Sequence, residues 1–529
     1  MEVKDTMASR ANELLLCPEN KSRYNSADIK SIFEYAKQLE GKTFEDILRN
    51  NGLSDDDIDF LKEKSMTNKG LLGNLIEEAW FGYPANSMQD ADFDEVDAEL
   101  KSTPFEGSGS KIRPGETVSV TQIDFTKPQE EDFYKSHAWK KIQMILLVYY
   151  LREKQRASIL KSKLFYRIHY VFMIKPTQVD LAIIEADYKY LYGFIIRGEA
   201  EKLERSHGKY LGVAPKSNKN EEVLQYYGNH KPVHKKSFVL KKPYLRFILR
   251  VAAGIEEDCG SIIRDVSELQ TDTMDVILEK RLSSYIGMEI NVIWNMVKTS
   301  DETNMPSAKN EDAVVSCRML GVKNNRVEEF VKAGIIPKVI KFRKKKSDNQ
   351  QFRIEDIKFL EFNAEEFDED VVVVDDEDEP HGWEASALYS YLAERQYFFI
   401  VFWDTDNGRI YKGCQLWGMP DADLEIVHQA WSKAKNIVKD GVKFDFKHDK
   451  NGKLSVSNNL PGMADNGVFH IRNHASKSFY VINGVSYGNG TLSDTDELPN
   501  GDRITKQAYW LNRSYIESQL RSDLVMQYD

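Results

Sequence analysis

One pattern occurs twice in this chain, about 240 residues apart, and a repeat of that length restricts the fold to two similar units in tandem. The segment KGLLGNLIEEAWFG at 69–82 is paralleled by AKNEDAVVSCRMLG at 308–321. The segment that begins at Asp92, DFDEVDAELKSTPF, is paralleled by VEEFVKAGIIPKVIKF at 327–342. The 529 residues suit two units of roughly 250, each long enough to bury a sizeable core. Charged residues at 29% and aromatic residues at 11% are the balance of a globular protein, not a disordered one. A linker is expected within 250–275, where acidic and glycine positions break the apolar period.

In the first copy, Val96 to Lys101 alternates apolar and charged residues at period two, which predicts a half-buried strand. Val96, Ala98 and Leu100 would face the core, with Asp97, Glu99 and Lys101 on the other face. Asp92 would enter from the preceding turn and converge on Glu99. Two converging carboxylates form a hard, all-oxygen site of the kind Mg2+ prefers, with room for water and a substrate phosphate. A lysine beside them can orient a water and help deprotonate it. A divalent cation lowers the pKa of water and clamps a phosphoryl oxygen, so acid, acid, lysine is a phosphodiesterase toolkit. Read alone, the spacing D-x6-E-x-K also fits an acidic surface strand. A calcium loop starting from Asp90, Asp92 and Asp94 is excluded, because Glu95 replaces the required glycine and Lys101 the closing glutamate. Upstream, Leu71, Leu72, Leu75, Ile76, Ala79 and Trp80 fall on one helical stripe. Gly73, Glu77 and Glu78 lie off it, and Glu77 by itself reads as a solvated helix glutamate.

Taken together, KGLLGNLIE, the following DF and DAELKSTPF resemble the MutH-type endonucleases, a branch of the PD-(D/E)xK nucleases. IFEYAKQLEGKTFEDIL, ending at Leu48, resembles that family's opening helix and turn. FVLKKPYLRFIL at 238–249 resembles its closing strand and helix. The resemblance implies an α/β fold with a mixed central sheet flanked by helices. It implies that Asp92 and Glu99 hold the metal, Mg2+, that Lys101 assists the water, and that Glu77 is an additional acid of the metal site. It also implies two further active-site lysines, Lys69 and Lys141, with Lys140 adjacent to the latter. A strand-edge lysine before an apolar run is the other reading of Lys141. In the family a base-reading RPK-like tripeptide follows a strand. YLGVAPKSNK at 210–219 resembles it, keeping Pro215 and Lys216 but with Ala214 in place of the arginine, which removes a bidentate guanine contact.

In the second copy, aligning Gly321 with Gly82 puts Ser316 at the place of Glu77. Aligning Lys338 with Lys101 puts Glu329 against Asp92 and Ile336 against Glu99. A strand with isoleucine for its second carboxylate cannot build the same anionic site. YFFIVFW at 397–403 predicts a buried strand, followed by FHIRNHASKSF at 469–479 and RITKQAYWLNRSYIESQL at 503–520. The arrangement resembles the two-domain type II restriction endonucleases that cleave at GATC, over nearly the full chain. The resemblance implies tandem MutH-like domains: a catalytic one at 20–255, and one at 256–529 that lacks the acidic site and serves as a DNA-binding effector. It implies hydrolysis of double-stranded DNA at a short palindrome, with a DNA-induced dimer or two-site complex. A mismatch-repair strand nickase and a non-catalytic DNA-binding protein are the alternatives.

The net charge of −12 is unusual for a DNA-binding protein, but its distribution is uneven. Residues 201–250 carry twelve Lys or Arg against four Asp or Glu. Lys235, Lys236, Lys241 and Lys242 in that run, and Arg472 in the second copy, are candidate DNA contacts alongside Pro215 and Lys216. FDEDVVVVDDEDE at 367–379 reads as a solvated acidic loop, with shielding of the basic groove as the other reading. The four cysteines form no CxxC pair, which excludes a zinc ribbon and suits a reducing cytoplasm. The pairs His230/His234 and His470/His474 lack a nearby third ligand for zinc. GSGSK at 107–111 lacks P-loop spacing and reads as a flexible connection. Neither a signal-peptide core nor a membrane-length apolar run is expected.

Overall fold

The computed structural model describes residues 10–525, apart from 12, 69, 85–90, 217–220, 229, 256–257, 307–310, 324–325, 346–347, 355–356, 363–381, 385, 407, 449–451 and 453. The acidic run at 367–379 and Lys69 therefore lie outside the described residues.

The first half opens with helices α1 (Ile29–Lys37), α2 (Phe44–Asn50), α3 (Asp55–Thr67) and α4 (Leu71–Asn74). Asp28, Thr43 and Ser54 accept first-turn N–H groups of the first three, and Asp46 closes a capping box with Thr43. The strands and helices that follow are β1 (Glu99–Glu106), β2 (Arg113–Pro114), β3 (Val118–Gln122), α5 (His137–Ile142), β4 (Ile145–Leu151) and β5 (Arg167–Ile174). The half closes with α6 (Gln178–Ile196), β6 (Leu211–Pro215), β7 (Lys236–Leu240) and α7 (Lys242–Ala252). The central sheet runs β2-β1-β4-β5, with β1 and β4 parallel and the outer pairs antiparallel. A smaller antiparallel sheet runs β3-β7-β6.

The second half repeats this plan. After α8 (Met274–Ser283), α9 (Ile290–Val297), α10 (Glu311–Met319) and α11 (Glu328–Ala333) come β8 (Ile335–Lys345), β9 (Asp348–Ile354) and β10 (Ile357–Glu361). Then follow α12 (Ala387–Ala393), β11 (Gln396–Thr405), β12 (Gly408–Trp417), α13 (Asp421–Asp440), β13 (Phe469–Asn473) and β14 (Gln507–Leu511). The central sheet runs β9-β8-β11-β12 with the same senses: β8 and β11 are parallel, the outer pairs antiparallel. An antiparallel sheet β10-β14-β13 stands beside it. Even the helix leading into the middle strand starts alike, Ser136 capping α5 and Ser386 capping α12.

Alternation along the strands divides each central sheet into two packing faces. Leu100, Leu146 and Val148 pack with Ile32, Phe44, Leu71 and Ile76 of the opening helices. Ile145, Leu147 and Tyr149 face the other way, into a core that also holds Ile184, Leu240 and Leu245. That core does not stop at the repeat boundary. It continues through Ile277, Ile293 and Phe330 to Ile335, Phe398 and Ile400. A separate core in the second half gathers Ile340, Phe342, Tyr397, Phe399, Phe469 and Tyr509.

The seam between the halves is polar as well as apolar. Lys332 Nζ on α11 lies 2.8 Å from Asp180 Oδ1 on α6, with both side chains only 5% exposed, and its ammonium sits 4.8 Å from the Phe247 ring centroid. Gly334 ends α11 at φ +69° against Pro243, and a Cβ there would come within 2.5 Å of the proline ring. The expected linker at 250–275 is corrected accordingly: Gly260 bridges to Val327, and Ile262 and Ile263 are buried in the shared core. The expected strand from Val96 is also corrected. Asp94–Val96 forms a 3-10 turn, Asp97 is left-handed at φ 52°, and the strand begins at Glu99. GSGSK contains a 3-10 turn, Gly109–Lys111, between β1 and β2. Among the described residues no helix is long and apolar enough to cross a membrane.

Candidate active site

The site is assembled where β1 starts. Phe93 and Ala98 exchange backbone hydrogen bonds of 2.9 and 3.2 Å, closing a loop whose turn uses left-handed Asp97, a conformation aspartate tolerates better than most residues. This loop returns Asp92 to the strand, where its Oδ2 accepts the Leu100 N–H at 2.9 Å. The convergence expected from spacing is thus achieved by the loop rather than by a longer strand.

Glu99 and Lys101 share the face of the sheet that carries Ile145 and Leu147 of β4, their parallel partners. Glu99 is 1% exposed. Its Oε1 accepts from Lys101 Nζ at 2.5 Å and from Lys141 Nζ, in the last turn of α5, at 2.9 Å. The other oxygen, Oε2, is buried with no hydrogen-bond partner. Lys140 is exposed, so of the two adjacent lysines it is Lys141 that reaches the acid.

Glu77 comes from the other side of the sheet edge. After α4 the helix widens into a π-turn, Leu75–Trp80, with Phe81 N–H donating to Ile76 O at 3.1 Å. Such wide turns redirect side chains and recur at functional sites. Glu77 is half-buried instead of solvated, and Glu78 is buried where the sequence placed it off the core. Burial, together with Asp92 and Glu99 and against the pull of Lys101, pushes the Glu77 carboxyl up to about 7. Burial and Glu99 likewise raise Asp92, against Lys101. For Lys101 burial opposes the charge, but Glu99 and Asp92 outweigh it and hold the ammonium above its ordinary value.

This donor set fits a hard divalent cation: two converging carboxylates, one with a buried, unpartnered oxygen. Among the described residues no three His, Cys, Asp or Glu side chains gather closely enough to hold a metal. Glu77, the third acid of the expected set, stands near enough to Asp92 and Glu99 for their charges to raise its carboxyl.

The expected DNA contacts divide. Pro215 and Lys216 are exposed at the end of β6, where Lys216 Nζ reaches Gln122 Oε1 at 2.6 Å, and Lys235 pairs with Glu221 at 2.5 Å. In three others the ammonium group is engaged by the protein itself. Lys236 donates to Leu203 O at 2.5 Å, and Lys241, 6% exposed, to Gly208 O at 3.1 Å. Lys242 pairs with Glu394 across the seam at 2.6 Å. In the second half, Arg472 stacks 3.8 Å from the Trp510 centroid, on the sheet face that also carries Lys358 and His470. None of the four paired histidines builds a metal site: His230 meets Gln225 O, His234 meets Glu222, His470 meets Asn512, and His474 packs edgewise on Trp510.

Sequence reasoning missed Tyr83, whose buried hydroxyl shares the surroundings of the acids, because no spacing rule singles out a tyrosine after a left-handed glycine. It also missed the Leu100 N–H that holds Asp92, a contact no side-chain pattern records.

The chain is similar to known DNA enzymes. The family model for the DNA mismatch repair enzyme MutH matches residues 81–187, the stretch from just after the π-turn through α5 and β4 into α6. The type II restriction enzyme Sau3AI of Staphylococcus aureus is 25% identical over 517 residues, 93% of this chain and 98% of that enzyme. The DNA mismatch repair protein MutH of Vibrio campbellii is 27% identical over 222 residues, 41% of this chain and 91% of its own length. MutH of Escherichia coli (strain 536 / UPEC) is 26% identical over 220 residues, 42% and 86%. The chain is thus similar to the mismatch repair enzyme MutH in its first half and to a type II restriction enzyme along nearly its whole length.

Proposed function

We propose that the protein is a Mg2+-dependent type II restriction endonuclease that hydrolyses double-stranded DNA at a short palindrome, GATC, with residues 20–255 as the catalytic domain and 256–529 as a DNA-binding effector. The observation that carries this reading is Glu99, buried, with Oε1 held by two ammonium groups and Oε2 unpartnered beside Asp92. Asp92 and Glu99 are the residues that would hold the cation. When bound, it supplies Lewis-acid stabilisation of the phosphate and a more acidic water. Lys101 orients the attacking water and Lys141 offsets the charge of Glu99. Glu77, titrating near neutrality, is suited to hold a proton from that water. Lys69 is a further active-site lysine by family likeness alone.

On the DNA side, Pro215, Lys216 and Lys235 lie along the exposed end of the β6-β7 sheet, and Arg472 with Trp510 and Lys358 offers a cationic and aromatic face in the second half. The second half binds a second copy of the site or the same one, so that cleavage proceeds through a two-site complex or a DNA-induced dimer. The enzyme works in the cytoplasm, on DNA that enters it. Incubating unmethylated and adenine-methylated plasmid with Mg2+ tests the proposal. Discrete double-strand breaks at GATC are expected, and single-strand nicks alone would instead favour the mismatch-repair role of the MutH relatives.

A further inference from the structure

Tyr83 occupies a position that packing alone does not account for. Its side chain is 8% exposed, and its hydroxyl is buried with no hydrogen-bond partner. The main chain fixes it there: Tyr83 N–H donates to Glu77 O at 3.2 Å, and Gly82 before it adopts φ +76°, where a Cβ would lie 2.4 Å from Cys17 O. The ring meets Phe93, the neighbour of Asp92, edge to face at 5.6 Å. Tyr83 is therefore clamped between the two chain segments that carry Glu77 and Asp92. Burying a hydroxyl without a partner costs about 1–3 kcal/mol, a cost that a phenylalanine in the same place would avoid.

The charged groups that act on this hydroxyl are Asp92, Glu77 and Glu99, all acceptors when ionised, and burial and these acids keep the phenol protonated, a donor, across neutral pH. Carboxylates that ligate a cation are themselves held by outer hydrogen bonds, and loss of such a partner typically weakens metal binding by 10–100-fold. We propose that Tyr83 is a positioning residue of the acid site, its O–H donating to the carboxylate of Asp92 as that acid turns to receive a divalent cation. The inference deepens the proposed nuclease function and rests on it.

The test uses the full chain carrying Tyr83→Phe, with Mn2+ binding followed by calorimetry, cleavage measured across a Mg2+ titration, and thermal melting without metal. Mn2+ affinity should fall about tenfold, and the Mg2+ needed for half-maximal cleavage should rise by a similar factor. The rate at saturating Mg2+ should recover to near that of the unsubstituted protein. The metal-free melting temperature should not fall, because the hydroxyl removed had no partner. Unchanged Mn2+ affinity would overturn the inference, as would a lowered melting temperature with a rate that excess Mg2+ does not restore, the signature of packing. Asp92→Ala and Glu99→Ala serve as controls. If both lose Mn2+ binding while Tyr83→Phe keeps it, only the role of Tyr83 fails. If both bind Mn2+ as tightly as the original protein, the nuclease reading itself fails.

Discussion

The start of β1 and the start of β8 are the same place in the two halves, and they have opposite chemistry. Both strands run parallel to the middle strand of their sheet, with Lys101 opposite Leu147 and Lys338 opposite Phe399. Lys101 lies against Glu99, and its carboxylate neighbours hold its proton more tightly than usual. Two residues before Lys338 stands Ile336, and Lys338 instead donates to Lys358 O at 3.3 Å and lies 5.3 Å from the Phe359 ring centroid. Burial and then the charge of Lys358 pull its pKa down. The acids diverge in the same way. Asp92 faces the site, whereas Glu329 is buried as a clamp that accepts from Ser261 Oγ, Ile262 N and Ile263 N. With isoleucine in place of a carboxylate, the lysine braces a neighbouring strand and the acid holds backbone N–H groups. Equivalent places in the two sheets thus carry different chemistry.

The sharpest way to break this contrast is to alter the paired positions. Glu99→Ala should reduce single-turnover DNA cleavage by roughly 1000-fold or more, as removal of a ligand at a metal-dependent site does. Ile336→Ala should leave the chemical step within a small factor. Loss of cleavage from the second change alone would reverse the assignment of the two halves. The seam comes next in size. Lys332→Met leaves Asp180 buried without its ammonium partner and should cost about 3–5 kcal/mol in urea denaturation. Two separated transitions in the unaltered protein would contradict a shared core.

The acids should then respond in opposite directions. Glu329→Gln weakens a clamp on three donors and should destabilise the protein by about 1–3 kcal/mol. Asp92→Asn removes a charge that burial and Glu99 oppose, so the metal-free protein should be at least as stable as before while cleavage is lost. The smallest effect is a pH slope. With the folded pKa of Lys338 below its ordinary 10.5, the unfolded chain holds the extra proton between those two values, and stability from this group rises with pH across that window. Lys101, raised above 10.5, contributes stability that is complete below that pH and lost as pH climbs through its folded value. Lys338→Met should flatten the rise in urea midpoints toward pH 10.5, and an unchanged slope would show that the two lysines do not differ in this way.

Much of the site was legible because its chemistry sits in short spacings. Asp92, Glu99 and Lys101 fall within one loop and one strand, and the apolar run after Lys141 marks the middle strand that brings this lysine to Glu99. Both halves also carry a four-stranded sheet of like order and strand senses, in keeping with the repeat. What could not be read depends on the third dimension. A run of lysines looks alike whether it faces solvent or turns inward to carbonyl oxygens, and Lys236 and Lys241 turn inward. Acidic and glycine positions suggested a tether, yet Ile262 and Ile263 within it were enough to draw that segment into the core once Glu329 held its N–H groups. Asp97 alternates like a strand residue, but closing the Phe93–Ala98 loop required a left-handed turn there.

The core that crosses the seam has a consequence for how such a chain can be shortened. Ending it after α7 would strip the cover from Phe247 and Pro243 and leave Asp180 facing water without its lysine. The first half on its own would present to water an apolar flank that the shared core now covers.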